Sequence, residues 1–469
     1  MKKLLVVATV LASSLFAQSP ALKPYIRHSE PDLALEHVRV IDGNGTPAVK
    51  DQTIIIHSGK IVAIGSSASI NVPNNAKRVD LAGYTAFPGI VGMHDHMYYP
   101  SPGSDVPLYP EHGSSFPKLY LAGGVTTIRT TGSVETYTDI ETKKLIDAGQ
   151  MLGPKMHITG PYLEGVGSFT PQMHQIKDAA DARATVEFWA DQGATSFKGD
   201  MHITRDELKA AIDAAHARKL KVTAHLCAIT FREAADLGID DLEHGLPVNS
   251  GFVANKKLDE CPKQTDVRDS IAALTSQQIR EEAKYLVDHK VALTSTLPVF
   301  EMFIAGRRVP LRKEVLDAMA PQAQTAFLTT RANINNGESK WGTVFQKELE
   351  FEREFAKAGG LLLAGLDTTG IGGVIAGYGD QREIELLVEA GFTPVEAIKI
   401  ATRNGAEFLG ELDHIGTLAS GKQADIVIVK GDPSANIPDV EKVELVFKDG
   451  IGYDSVAIQQ SAKGSVGLH

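Results

Sequence analysis

A regular alternation of short apolar runs and longer helical patterns fills the sequence from residue 88 to residue 411. Such alternation is typical of βα units, whose strands run parallel in one sheet. The predicted strands are residues 90–94, 125–129, 156–160, 195–198, 222–225, 241–244, 291–296 and 361–367. Eight parallel strands with intervening helices predict a closed (β/α)8 TIM barrel, whose active site lies at the carboxyl ends of the strands.

Short strands and turns flank this central part on both sides. Residues 32–87 contain several short apolar runs separated by turn residues, and the same pattern occurs again after Leu412. The simplest assembly is one small β-sandwich domain built from residues 22–87 plus 412–469. The barrel, residues 88–411, would then be inserted between its two halves. The predicted fold class is therefore α/β, a TIM barrel with a small β-sandwich domain.

The first 21 residues resemble a secretory signal peptide. Two lysines precede an apolar stretch, residues 4–16, that is too short to span a bilayer. Cleavage could follow Ala21 in the sequence Ser19-Pro20-Ala21, or it could follow the competing Ala17. The alternative interpretation is a buried N-terminal strand. A signal peptide predicts a periplasmic or secreted protein.

Composition narrows the range of partners. The net charge of -11 argues against a surface that binds nucleic acid or an anionic membrane, and no later stretch resembles a membrane helix. We therefore expect a small-molecule substrate, no nucleic acid and no membrane, and a homo-oligomer stays open. In an exported protein Cys227 and Cys261 could form a disulfide, but the default interpretation of Cys227 is a small buried residue.

Histidines and one aspartate stand at the ends of predicted strands. His94 and His96 follow the first strand, and their spacing of two residues points both side chains the same way on an extended chain. His225, His244 and Asp367 end the fifth, sixth and eighth strands. A histidine pair also occurs by chance in loops, and a lone histidine is more often structural. The joint placement at one rim nevertheless predicts a metal site.

Lys198 ends the fourth predicted strand, although an ammonium group cannot bind a metal. A desolvated lysine can lose its proton. It can then react with carbon dioxide to give a carbamate, which is a carboxylate on a long arm and can bridge two cations. The alternative is an ammonium group paired with Asp200 or another acid. The chemistry of the residue leaves both interpretations open.

Seven motifs occur in a fixed order along the chain. They are Pro88-Gly89-Ile90-Val91-Gly92-Met93-His94-Asp95-His96, Gly124-Val125-Thr126-Thr127-Ile128-Arg129, Phe197-Lys198, Thr223-Ala224-His225, Leu242-Glu243-His244-Gly245, Ala364-Gly365-Leu366-Asp367-Thr368 and Gly416-Thr417-Leu418-Ala419-Ser420-Gly421-Lys422-Gln423-Ala424-Asp425. Together they resemble the amidohydrolase superfamily, in particular its imidazolonepropionase-like branch with secreted dipeptidases and ochratoxin-type amidases. The resemblance covers nearly the whole chain after the signal peptide and says little about the substrate.

The resemblance implies a binuclear metal site, with zinc as the expected metal. The expected ligands are His94, His96 and Asp367 for one ion, His225 and His244 for the other, and Lys198 as a bridging carbamate. Two cations lower the pKa of a shared water enough to give hydroxide near neutral pH. Asp367 could carry the proton from this hydroxide to the leaving amine, or it could be a ligand only.

Two positions depart from the pattern of many relatives. Gly92 stands where they have an aspartate two residues before the first histidine, and Thr130 stands where they have an aspartate after the arginine of the second strand. These departures put the contacts around the ligands in doubt, but not the ligands themselves. Asp95, between the two histidines, should point away from them and is predicted to be structural.

Four residues are candidate substrate contacts. Tyr98 and Tyr99 follow the histidine pair and could line the pocket. Arg129 could hold a substrate carboxylate, although structural pairing is an equal alternative. His174 lies in a long segment with glycines, residues 161–174, that could cover the site.

The leading hypothesis is a secreted metal-dependent hydrolase that cleaves an amide C–N bond. Expected substrates are N-acyl amino acids, dipeptides or amide-linked small molecules. A cyclic amidase or lactonase is the second hypothesis, because the same hydroxide would serve and the ligands cannot separate linear from cyclic substrates. A non-catalytic binding barrel is the third, and the lysine argues against it because a binding module needs no bridging ligand.

Overall fold

The computed structural model describes residues 18–103, 106–337 and 339–468. Most of the predicted signal peptide, residues 1–17, lies outside the described residues. The described chain begins with a 3-10 helix, Pro20–Tyr25, whose Leu22 is buried in the main apolar core. Within the described ranges, none of the helices combines the length and the apolar content that crossing a bilayer requires.

Six strands precede the barrel in the described residues. They are β1 (Ile26–His28), β2 (Asp32–Val40), β3 (Val49–His57), β4 (Lys60–Ser66), β5 (Lys77–Asp80) and β6 (Tyr84–Pro88). Eight strands follow at the predicted places: β7 (Ile90–Gly92), β8 (Val125–Arg129), β9 (Lys155–His157), β10 (Ser196–Gly199), β11 (Lys221–Ala224), β12 (Asp241–Glu243), β13 (Ala292–Ser295) and β14 (Leu362–Ala364). The last three strands are β15 (Ile426–Lys430), β16 (Val443–Lys448) and β17 (Ile451–Asp454).

The helices of the described residues lie mostly between the strands β7 to β14. They are α1 (Phe116–Ala122), α2 (Thr136–Asp147), α3 (Ala179–Gln192), α4 (Arg205–Ala217), α5 (Phe231–Leu237), α6 (Gln264–Ala272), α7 (Ser276–Asp288), α8 (Leu297–Glu301), α9 (Lys313–Ala318), α10 (Pro321–Asn335), α11 (Trp341–Lys357), α12 (Tyr378–Glu389), α13 (Pro394–Lys399), α14 (Gly405–Leu409) and α15 (Ser455–Ser461). Thr204 is the N-cap of α4 and Thr275 is the N-cap of α7, and each forms a capping box that satisfies free N–H groups at the start of its helix.

The eight central strands form a closed ring of parallel neighbours. Strands β7, β8 and β9 pair in one sheet, and β10 to β14 pair in order in another. A parallel bridge between Thr159 and Ser196 joins the two sheets on one side. On the other side the Met93 N–H donates to the Ala364 oxygen at 2.8 Å, and the Asp367 N–H donates to the His94 oxygen at 3.1 Å. This arrangement of parallel strands agrees with the predicted barrel.

The chain segments before and after the barrel form one antiparallel-rich sheet. Its strand order is β1-β17-β16-β15-β6-β2-β3-β4, with β5 on β2. The sheet curls back on itself, because the Ile61 N–H of β4 donates to the Lys422 oxygen just before β15. Alternating residues such as Leu33, Ile54 and Ile426 meet in one apolar core inside it. The small β-domain thus takes strands from both ends of the chain, as the predicted fold class requires.

The two cysteines are joined. Cys227 follows β11 by three residues and forms a disulfide with Cys261. The sulfur of Cys227 is buried, as the default interpretation holds, but the residue is a half-cystine and not a free thiol. The bond ties the segment that follows His225 to the chain before α6.

Candidate metal centre

Six side chains from five strand ends meet at the carboxyl rim of the barrel. They are His94 and His96 after β7, Lys198 in β10, His225 after β11, His244 after β12 and Asp367 after β14. His94 Nε2 lies 3.3 Å from Lys198 Nζ and 3.9 Å from Asp367 Oδ2. His96 Nε2 lies 3.7 Å from Asp367 Oδ1. The rings of His94 and His225 lie 4.4 Å and 4.5 Å from the ring of His244, measured between centroids.

The donor atoms fit a divalent metal ion. One ligand atom each from His94, His244 and Asp367 lies within 4.8 Å of the others, and all three residues are buried. Burial and the neighbouring cations lower the pKa of His94, of His96 and of His244, so the imidazoles are neutral and their lone pairs are available to a metal. Nitrogen and carboxylate donors of this kind suit zinc and related ions.

Each of three histidines is held by a second contact on its other nitrogen. His94 Nδ1 donates to Glu243 Oε2 at 2.7 Å, and His96 Nδ1 donates to the Thr130 carbonyl oxygen at 3.2 Å. His244 Nδ1 lies 2.8 Å from Thr296 Oγ1. For His94 and His96 these contacts leave Nε2 facing Asp367, which is the tautomer that a metal ligand needs.

Glu243 joins the metal centre to a buried arginine. Its Oε1 accepts a hydrogen bond from Arg129 Nη2 at 2.7 Å, and its Oε2 accepts one from His94 Nδ1. Burial would raise the pKa of Glu243, but Arg129 and Lys198 lower it, so the group stays an ionised carboxylate. The chain therefore places a charged carboxylate directly behind the first histidine.

Arg129 is not placed to hold a substrate, and the prediction of that role is wrong. Its guanidinium is 1% exposed. Besides Glu243 it donates to the Met93 carbonyl oxygen at 2.7 Å and to Thr223 Oγ1 at 3.1 Å, and it lies 3.3 Å from Asp241. Its donors are directed to the barrel interior, so the alternative of structural pairing is the one that the structure shows.

Lys198 stands among the histidines without an acidic partner. Among the described residues, no carboxylate oxygen lies within the 4.0 Å ion-pair distance of its Nζ. The amine lies 5.1 Å from the centroid of the Tyr162 ring, and the side chain is 2% exposed. Burial lowers the pKa of Lys198, which favours the neutral amine. The alternative of a direct ion pair with Asp200 is thus absent from the described contacts.

Two of the predicted ligands adopt a backbone conformation that non-glycine residues rarely take. His244 has φ 72° and Asp367 has φ 54°. This left-handed region costs about 1 kcal/mol or more for such residues, and it persists where the surroundings enforce it. The turn bends both side chains inward just beyond the strand ends, which also explains why β12 and β14 end earlier than predicted.

An aromatic wall covers one side of the metal centre. Tyr98 stacks on His96 with centroids 4.5 Å apart, and its hydroxyl is hydrogen-bonded to the hydroxyl of Tyr162. Tyr109 packs edge-on against Tyr98, and Met173 joins this cluster. Burial raises the pKa of Tyr98 and that of Tyr162, so both phenols keep their protons. Tyr98 therefore lies where it was predicted, beside the site.

Tyr99 and His174 lie elsewhere, and their predicted substrate contacts are wrong. The Tyr99 hydroxyl accepts from the Gly373 N–H at 2.9 Å, and its ring packs on Phe116 in the main core, because adjacent residues point to opposite sides. His174 is 45% exposed and lies 3.6 Å from Asp181 in an outer groove beside α3. The segment 161–174 instead contributes Tyr162 to the site.

One of the two departures from the pattern of relatives has a local explanation. A Cβ atom on Gly92 would lie 1.9 Å from the Asp95 carboxylate, so glycine makes room for that buried group. Thr130 orients His96 through its backbone carbonyl oxygen, a contact that does not depend on the side chain at this position. Asp95 is fully buried at this place, which agrees with its predicted structural role.

Sequence reasoning missed three residues that shape the site. They are Glu243, Thr296 and Tyr162, which contact His94, His244 and the Lys198 region. Glu243 carried a signal, since an acidic residue in an apolar strand motif needs a buried cation. Tyr162 and Thr296 carried none, because a tyrosine or threonine after a strand is common.

The barrel with polar donors at its carboxyl rim defines the class of metal-dependent (β/α)8 hydrolases. The model of the amidohydrolase family matches residues 85–258 and 359–451, and the chain belongs to this family. It is a hydrolase that acts on carbon–nitrogen amide bonds, and the predicted membership of the superfamily is confirmed.

Three similar proteins illustrate the relationship. An imidazolonepropionase of Herpetosiphon aurantiacus is 23% identical over 88% of this chain and 89% of its own length. A putative prolidase from Bifidobacterium longum superposes with a TM-score of 0.65 at 23% identity, over 92% of this chain and 98% of that one. The ochratoxinase of A. niger gives 0.63 at 18% identity, over 90% and 95%. At these identities the two solved structures support the fold alone.

Proposed function

We propose that this protein is a secreted binuclear amidohydrolase that cleaves the amide bond of an N-acyl amino acid, a dipeptide or an amide-linked small molecule. The observation that carries the proposal is the meeting of six predicted ligands, remote in sequence, at one rim of the barrel. The names of the three similar proteins support an amide-type substrate. The aromatic wall beside His96 supports a substrate with an apolar part.

The resemblance to the amidohydrolase family suggests how the ligands would divide between two ions. His94, His96 and Asp367 would hold one ion, and His225 and His244 the other. Lys198 Nζ lies 3.3 Å from His94 Nε2, and a carbamate on it would supply oxygens for both ions. Zinc is the proposed metal, because the donors are mainly imidazole. Bound ions would polarise the scissile carbonyl and lower the pKa of a water molecule.

The side chains of the protein would perform the other tasks. Burial raises the pKa of Asp367, so this carboxylate is a better proton acceptor than an exposed one and could pass the proton to the leaving amine. One of the two phenol hydroxyls, Tyr98 or Tyr162, donates to the other, so the pair keeps one O–H that can donate a hydrogen bond to a polar group of the substrate. Glu243 and Thr130 keep the two histidines of β7 in the ligand tautomer.

A substrate panel tests the proposal. Metal-loaded protein supplied with bicarbonate should hydrolyse at least one member of a set of N-acyl amino acids, dipeptides, cyclic amides and lactones. His225→Asn and Lys198→Ala should each lower kcat/KM about 1,000-fold or more, because several kcal/mol of transition-state stabilisation depend on the metal site. The control is Lys284→Ala, an exposed lysine paired with Asp288 on α7.

Two further readouts sharpen this test. Metal analysis should find about two ions per chain in wild type and fewer in both site variants. Reconstitution without carbon dioxide should lower activity if Lys198 is carbamylated. Full activity in both site variants would remove the proposed mechanism, and turnover of cyclic substrates alone would replace linear amides by the second hypothesis.

Export is part of the proposal. The signal-like start of the sequence and the disulfide Cys227–Cys261 support an oxidising compartment. Of the two cleavage sites we propose the one after Ala17, because the Ser19 N–H donates to the Gly149 oxygen and Leu22 is buried. The mass of the exported protein should match a chain that begins at Gln18. A start at Leu22, or an uncleaved cytosolic chain, would contradict this.

A further inference from the structure

An open groove of about 490 Å³ lies on the outside of the barrel, lined by residues from α2, from α3 and from the segment 161–174. Its volume is in the range of small-molecule sites. Pro161 lines this outer groove, whereas the ring of the next residue, Tyr162, lies 5.1 Å from Lys198 Nζ in the metal centre. The described residues that line the groove include none of the six predicted metal ligands, so the groove is a separate site.

Three aromatic side chains form one corner of the outer groove. The Tyr137 ring lies 4.7 Å from the Trp189 ring, and the Phe188 ring lies 5.3 Å from it at a right angle, measured between centroids. Trp189 packs partly on the main apolar core, but Tyr137 and Phe188 are each 51% exposed. Exposed apolar groups that cluster, rather than occur singly, mark places where a ligand or partner binds.

The charged lining of the outer groove is acidic. Glu135 and Asp181 supply two carboxylates, and none of the described residues that line the groove is a lysine or an arginine. Asp181 Oδ2 lies 3.6 Å from His174 Nε2 and accepts from the Lys177 N–H at 3.1 Å. Glu135 is exposed, and within the described part of the chain no basic nitrogen lies within 4.0 Å of its carboxylate. One carboxylate of the groove thus has no counter-charge in ion-pair contact.

Exposed aromatic faces and a carboxylate attract the same class of ligand. The face of an aromatic ring is negative, and it attracts a cation that lies within about 6 Å of the ring centroid, most strongly for tryptophan. A quaternary ammonium ion suits such a place, because its methyl groups spread the charge and pack on the rings. An anion would be repelled by the carboxylates, and a neutral ligand would gain nothing from them.

We propose that the outer groove is a binding site for a small organic cation of the quaternary ammonium class. The methyl groups of this cation contact the rings of Tyr137 and Trp189, and the carboxylate of Glu135 balances its charge. The inference goes beyond the proposed function and does not depend on the reaction at the metal centre. It gives the protein a second ligand site on the outer side of the segment that contributes Tyr162 to the first.

Tryptophan fluorescence tests the proposal. The sequence contains two tryptophans, so Trp341→Phe leaves Trp189 as the single indole and keeps an aromatic ring beside Phe303. The probes are choline and its neutral carbon analogue, in which a tert-butyl group replaces the trimethylammonium group. Choline should change the fluorescence saturably with a Kd of about 5 mM or tighter, and the neutral analogue should bind about tenfold more weakly or less.

Two variants in the Trp341→Phe background separate charge from the aromatic face. Glu135→Gln removes the charge and keeps the shape, and Tyr137→Leu removes the ring and keeps an apolar side chain. Each should weaken choline binding about threefold or more and leave binding of the neutral analogue nearly unchanged. The matched control is Glu141→Gln, an exposed carboxylate on the same helix that pairs with Lys144 at 2.6 Å, and it should leave both affinities unchanged. Thermal unfolding of each variant checks that the protein is folded.

Calorimetry on wild type and on the same variants gives the affinities without relying on the indole signal. A preference for choline that is lost in both groove variants and kept in the control supports the inference. No heat of binding in wild type, equal affinity for the two probes, or an unchanged choline affinity in either groove variant would overturn it. An equal loss in Glu141→Gln would also overturn it, because the attraction would then come from the general negative charge of the surface.

Discussion

Two lysines at opposite ends of the barrel have opposite environments. Lys198 in β10 lies at the carboxyl rim, 3.3 Å from His94 Nε2, and burial lowers its pKa. Lys155 begins β9 at the other end and lies 2.6 Å from Asp425 and 2.9 Å from Asp449. Burial opposes the charge of Lys155 as well, but the two aspartates outweigh it and raise its pKa.

The difference between the two environments shows that a buried lysine can have a structural role in one place and a chemical role in another. Asp425 belongs to the segment before β15, so the ion pair of Lys155 fastens the barrel to the β-domain. Lys198 has no such partner within 4.0 Å among the described residues, so nothing of that kind offsets the effect of burial on its charge. Nearby carboxylates determine whether each lysine stays charged, because both side chains lie in the low dielectric of the protein interior.

Removing Lys155 should produce the largest change in stability. Lys155→Met leaves Asp425, which is 3% exposed, without its cation, and the free energy of unfolding should fall by about 2–4 kcal/mol. Activity per folded molecule should stay within about twofold of wild type. Urea unfolding and the amide assay measure the two quantities, with Lys284→Met as the matched surface control. A variant that keeps its stability and loses activity would break the comparison.

Changing the carboxylate behind His94 should have an intermediate effect. Glu243→Gln keeps the shape of the side chain but removes the charge between Arg129, His94 and Lys198. We expect metal affinity to fall about 10–100-fold, as is typical when such outer contacts of a ligand are lost. Competition with a chelator measures this affinity on folded protein. An unchanged affinity would mean that Glu243 serves only to neutralise Arg129.

A third lysine sharpens the comparison through its pH dependence. Lys448 lies in the same cavity of about 730 Å³ as Lys155, between barrel and β-domain, and donates to the Gly153 oxygen at 2.8 Å. Among the described residues no carboxylate oxygen lies within 4.0 Å of its Nζ. Burial lowers the pKa of Lys448 to about 8.

The sign of the effect follows from proton binding. Between pH 8 and pH 10 the unfolded chain holds this proton more often than the folded protein does, so the contribution of Lys448 to the free energy of unfolding rises with pH. Wild type should therefore gain stability relative to Lys448→Met over this range, by a smaller amount than the effects above. Urea midpoints at several pH values measure the difference, and a flat or falling difference would contradict the prediction.

The site shows how much can be predicted from local sequence patterns. The strand-end positions of His94, Lys198, His225 and Asp367 could be predicted, because apolar runs mark strands and a barrel brings their carboxyl ends together. The roles of residues next to each other in the sequence could not be predicted. Tyr98 and Tyr99 are adjacent and alike in the sequence, yet one borders the site and the other packs in the core.

The sequence by itself determined the barrel, the β-domain shared between both ends of the chain, and the set of residues at the rim. Periodicity and turn residues are local properties, and they fix where strands begin and end. Only the tertiary structure decided that Arg129 faces Glu243 and that Tyr137 lies against Trp189. Those partners come from different βα units, and the energy of a buried charge depends on which groups surround it in space.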